Sequence, residues 1–150
     1  PDEAAREAAE ALRLARVLKL PLAEANSHEI LGYLALLRGD ERAAEMEMLR
    51  SLALFREHGL DAWSSVLGLA VVEARRGDFR RGLAWMGAAR KAATTFWTGE
   101  GQPHVDRFWT DLRGPLSDDE ASAAMDEGGS LDLKTVVDEL LARPLPEPGS

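Results

Sequence analysis

The sequence predicts an all-α protein, a solenoid of helix-turn-helix repeats with about eight helices and a divergent C-terminal helical cap. Three observations carry that prediction. Apolar residues recur at helical spacing in every segment, and no period-two run of Val, Ile and Thr argues for a strand. Breaks fall at regular intervals, at Pro21, Gly39-Asp40, Gly59, Gly77-Asp78, residues 98–103, 114–117 and 128–132. Two stretches also repeat. Aligned on their Gly-Asp turns, residues 11–40 and 51–78 match Leu12 with Leu52, Leu14 with Leu54, Arg16 with Arg56 and Leu20 with Leu60, a period of roughly forty residues.

The elements follow in chain order. Residues 2–20 align with the second helix of a repeat whose first helix is missing, so the chain is expected to begin partway into a longer solenoid. After Pro21 a helix runs to Arg38, with Gly32 inside it at a propensity cost of about 1 kcal/mol against alanine. Gly39 supplies its positive-φ end, and Asp40 is placed to cap the next helix. That helix ends at His58-Gly59, where a histidine complements the dipole. The second copy reads Leu69-Ala70, Gly77-Asp78-Phe79, Gly82 and Met86. Beyond the Gly-Pro loop a helix spans 103–113, Ser117 and Glu120 form a capping box for another, and Asp132 caps the last. The domain expected is residues 1–143, with repeats near 22–58 and 60–97 and the cap at 103–143; residues 144–150 are a Pro-rich tail or linker.

Composition narrows the functions. Cysteine is absent, which removes disulfide frameworks, thiolate zinc sites and cysteine nucleophiles and fits the cytoplasm. No apolar run approaches the roughly 20 residues of a membrane span. The net charge is −8, and residues 114–150 hold nine acids against Lys134 and Arg143, so the first 113 residues lie near neutrality. Without clustered bases to displace counterions, direct nucleic-acid contact is not expected. His28, His58 and His104 lack metal-ligand spacing, no phosphate-cradling glycine motif occurs, and Asp118-Asp119-Glu120 are explained by helix initiation. The reading is a non-enzyme without cofactor or metal. Trp85, Phe96, Trp97, Phe108 and Trp109 are expected to close the core.

The order Leu31-Gly32, Ala35, Gly39-Asp40, Ala44 and Met48 resembles the tetratricopeptide repeat. That resemblance puts Gly32 and Ala44 where the paired helices touch. It also puts Asn26, Glu29, Tyr33 and Leu36 from the first copy, with Ser64, Leu67, Val71 and Arg75 from the second, on a concave partner-binding face. More specifically, "WMGAARKAATTFW", the Gly-Pro loop, an aromatic helix and "LSDDEASAAMDEGGSLDLKTVVDELL" resemble the C-terminal solenoid of large actinobacterial ATPase regulators of the LuxR and AfsR types, with Met125 in place of the usual tryptophan and Ser130 in place of an arginine. The resemblance implies a sensing or interaction region of a transcriptional regulator whose nucleotide-binding and DNA-reading parts lie elsewhere. A free-standing adaptor, or a repeat region attached to a signalling enzyme, is the alternative. The partner is a protein or peptide, or other domains of the parent chain, and the apolar end of the array is available to pair with a second copy.

Overall fold

A computed structural model describes residues 2–93 and 102–144. Among the described residues the chain is entirely helical, with eight helices and no strand: α1 (Asp2–Val17), α2 (Pro21–Arg38), α3 (Glu41–Glu57), α4 (Trp63–Arg75), α5 (Phe79–Ala92), α6 (Gln102–Arg113), α7 (Asp118–Gly129) and α8 (Leu133–Ala142). No helix among these residues is long and apolar enough to cross a membrane. Phe96 and Trp97, and the tail beyond Pro144, lie outside the described residues.

Local chemistry sets most of the boundaries. Pro21 opens α2 where a missing N–H costs nothing, and Gly39 at φ 75° closes it with its N–H on the Ala35 and Leu36 carbonyls. Asp40 accepts from Ala43 N at 2.9 Å and Asp78 from Arg81 N at 3.1 Å, each supplying an acceptor to a helix start that has no carbonyl of its own to use. Ser117 and Glu120 complete a reciprocal capping box, and Asp132 accepts from Lys134 N. The first bend differs from the sequence reading. There α1 stops at Val17 and Lys19, not a glycine, takes the left-handed conformation at φ 55°.

The hairpins α2–α3 and α4–α5 pack along their length, α3 packs on α4, and α2, α4 and α6 form a row in which α4 is central. Every residue of α4 from Ser65 to Ala74 is buried, as expected for a helix that meets neighbours on all sides. The core runs without a break from Ala35 to Leu140 and takes in Trp85 and Phe108, with Trp109 packed against it. Outside this cluster, α1 buries only Ala8 and Ala15.

Gly32 does not bring two backbones together. The fully buried Met48 side chain lies between Gly32 and Gly68, and a Cβ on either glycine would overlap it. Close backbone approach occurs at Gly82, where an added Cβ would stand 2.6 Å from Ala70 O, and at Gly87 and Gly128, where it would overlap the carbonyls of Met125 and Ala84 respectively. The last pair brings α7 tightly onto α5. Helix α6 packs instead on α4 and α5, and α8 turns back onto α3 and α5. Arg143 fastens that return, donating to Glu73 at 3.1 Å and lying 4.9 Å from the centre of the Trp85 ring.

Candidate functional site

On α2, residues 26, 29, 33 and 36 share one side of the helix, and on α4 residues 64, 67, 71 and 75 do the same. The packing of α2 on α4 joins these two rows. The Tyr33 hydroxyl donates to Ser64 O at 2.7 Å and lies 3.3 Å from Ser64 Oγ. Ser65 donates to Glu29 Oε2 at 3.0 Å, with Ser51 Oγ 3.1 Å away. Burial pushes the Glu29 carboxyl up, and the hydroxyls of Ser64 and Ser65 hold it back in part. Burial likewise raises the Tyr33 phenol, with the Glu29 charge adding to it against the Ser64 hydrogen bond. Tyr33 is therefore a neutral donor at physiological pH.

Helix α6 completes the cluster. His104 stacks on Tyr33 with ring centres 4.7 Å apart, and Phe108 follows at 6.3 Å. Arg75 donates to Asp111 at 2.9 Å and to Leu36 O at 2.8 Å, with its guanidinium 5.7 Å from the Phe108 ring centre. One side chain thus ties α4 to the end of α2 and to α6. The guanidinium at a helix C-terminal carbonyl is a favourable charge-to-dipole contact.

The eight residues drawn from the repeat pattern fall into three groups. Leu36, Leu67 and Val71 are no more than 1% exposed and belong to the core, which corrects their assignment to an open face: with α4 enclosed by α2, α3, α5 and α6, its inward row has no solvent to meet. Glu29, Tyr33, Ser64 and Arg75 are partly buried and hydrogen-bonded to one another's elements. Only Asn26 is fully open. Sequence reasoning missed Ile30 and Leu37, each 51% exposed. With Asn26 they stand at i, i+4 and i+11, so a single α2 stripe presents an amide and two aliphatic side chains. The signal was available in that spacing. Ser65, His104 and Asp111 were missed as well, the last two because only the tertiary fold brings α6 to α2 and α4.

A second polar cluster links α1, α2 and α3. His28 is 2% exposed; its Nδ1 lies 2.5 Å from Glu47 and its Nε2 3.3 Å from Arg16, which also holds Glu24 at 2.9 Å. Arg16 thus stands at Nε2 and Glu47 at Nδ1, so the ring links α1 to α3 across α2. Burial raises the Glu47 carboxyl but the His28 hydrogen bond and the charges of His28, Arg50 and Arg16 outweigh it, so its pKa is lowered. A His–carboxylate pair invites comparison with a catalytic dyad. Neighbouring Ser27, however, gives its hydroxyl to Ala23 O at 2.8 Å, so it is not aligned with the ring. Among the described residues no group of three or more His, Cys, Asp and Glu side chains is arranged to hold a metal ion.

No protein-family model matches the chain, and no curated protein or solved structure does either.

Proposed function

We propose that this chain is a non-catalytic interaction and sensing module, the helical-repeat region of a bacterial transcriptional regulator, and that a protein or peptide docks on the outer stripe of α2. The observation that carries the reading is the combination of Ile30 and Leu37, half exposed, with a row of side chains beside them that are already fixed. Tyr33 is held by Ser64, Glu29 by Ser65 and Arg75 by Asp111. Apolar groups open to solvent on a rigid, hydrogen-bonded support suit association, since little side-chain freedom remains to be lost on binding. Tyr and Arg are also the residue types that interfaces favour. The tetratricopeptide-like order of Gly32, Ala35, Gly39-Asp40 and Ala44 supports a repeat array as the framework, and the LuxR- and AfsR-like pattern of the last sixty residues supports its place in a regulator.

Site-specific photo-crosslinking in cells tests the docking face. A crosslinker at Ile30 is expected to capture a discrete protein, or another domain of the parent chain, that one at Ala123 on α7 does not. Capture of the same species from both positions, or of nothing from Ile30, rejects the α2 stripe. The regulator reading is tested separately, by whether the parent reading frame encodes a nucleotide-binding loop.

A further inference from the structure

Helix α8 is seated differently from the rest of the core. Leu133, Val136, Val137, Leu140 and Leu141 stand at i, i+3, i+4, i+7 and i+8 and all pack into the core cluster, while Lys134, Thr135 and Glu139 face solvent. This stripe lies along α3 and α5, the manner in which an amphipathic helix fills a groove on a partner. The groove is wider than its occupant. An open cavity of about 470 Å³ is lined by Val137 with Leu60 and Ala62, one of about 360 Å³ by Leu133 with Ala88, and one of about 230 Å³ by Leu140 with Leu49. Whereas α7 is locked on α5 by backbone contact at Gly87 and Gly128, α8 carries no glycine and is held at its edges by two ion pairs. Arg143 reaches Glu73 at 3.1 Å and Arg56 reaches Asp138 at 3.2 Å, with the arginine side chains 33% and 51% exposed. Ion pairs this open to solvent hold weakly.

We infer that the groove between α3 and α5 is a helix-binding site, which α8 fills within the chain and yields to a partner helix of the same pattern. The chemistry of that partner is read from α8 itself: aliphatic residues at i, i+3, i+4, i+7 and i+8, an acid at i+5 for Arg56, and a base at i+10 for Glu73 and the face of Trp85. Glu73 is buried and also accepts from Arg81, so a helix without the base would leave that carboxylate one cation in place of two. The aliphatic row supplies affinity through burial. The base sets direction, because a reversed helix would carry it to the other end of the groove, away from Glu73. Competition from α8 lowers the partner's apparent affinity by the fraction of molecules in which the groove stands open. The site is built from other helices than the α2 stripe and does not depend on its occupant.

A fluorescent peptide of residues 130–143, titrated into the whole chain and followed by anisotropy, is the probe. Saturable binding is expected, and it should be roughly three- to fivefold tighter to Arg143→Ala or to Asp138→Ala, since each loosens α8 in the chain while the peptide keeps both charges. The same peptide carrying Val137→Glu and Leu140→Glu is expected not to bind. Tying α8 down should close the site. Because the chain has no cysteine, Ala53→Cys and Leu141→Cys, which line one cavity, can be bridged by a short bis-maleimide; the bridged protein is expected to lose the peptide and the unbridged double variant to keep it. Absence of binding to the wild type and to both loosened variants overturns the proposal. Binding that the bridge leaves intact overturns it as well, because the peptide would then lie elsewhere on the molecule.

Discussion

Gly87 and Gly128 stand where α5 crosses α7, each against a carbonyl of the other helix, and backbone cannot step aside as a side chain can. Gly128→Ala and Gly87→Ala are therefore each expected to destabilise the protein by about 1 to 3 kcal/mol through overpacking. Gly32→Ala should cost less, because its new methyl meets the flexible Met48 side chain; urea denaturation that ranks Gly32→Ala as the costliest of the three would contradict this account. Glu29 gives a pH-dependent test. Its folded pKa is raised, so the native state holds the proton more tightly than the unfolded chain. The cost of burying its charge is absent below the unfolded pKa, grows as pH rises toward the folded value and is complete above it. Glu29→Gln keeps an acceptor for Ser65, so relative to wild type it should gain stability at pH 7 and lose that advantage on acidification. A difference independent of pH would show that ionising Glu29 costs the fold nothing. The repeat pattern marked Glu29 and Tyr33 but not their burial, and it put Gly32 at a helix contact without showing that the buried Met48 side chain fills that contact.

The elements were legible wherever a local signal sets them. Gly39, Asp40, Asp78, Ser117 and Asp132 mark helix ends by conformational or hydrogen-bonding chemistry that involves only near neighbours in the chain, and each acts in that way in the structure. The end of α1 was read long because Lys19 carries no sequence mark of a left-handed residue. The placements of α6 and α8 were not legible for a different reason. Their apolar faces are generic, and what fixes them, Asp111 on Arg75 and Arg143 on Glu73, are contacts across 36 and 70 residues. Capping makes a direct prediction at this scale: Asp78→Ala should cost about 1 kcal/mol, and Asp78→Asn, which keeps an acceptor, should cost much less. Equal losses in chemical denaturation would show that the carboxylate contributes through charge, by its ion pair with Arg81 at 3.4 Å, and not through the cap.

Across the whole molecule the packing is uneven, and stability should follow it. The core cluster spans α2 to α8, and α4 lies inside it with ten consecutive buried residues. By contrast α1 is fastened by Ala8 and Ala15 and by the polar junction of Arg16 with Glu24 and His28. Few buried apolar contacts and solvent-exposed backbone hydrogen bonds are the conditions under which a segment opens without global unfolding. Hydrogen exchange at low protein concentration is therefore expected to show α1 amides exchanging through a local opening well below the global unfolding free energy, while α4 amides exchange only with global unfolding. Arg16→Ala should accelerate exchange in α1 and leave α4 unaffected, because it removes the link to Glu24 and His28 without touching the core. Equal protection of α1 and α4 in dilute solution would mean that the junction at His28 couples α1 to the core as strongly as apolar packing does, and the boundary drawn here between α1 and the rest of the fold would then be wrong.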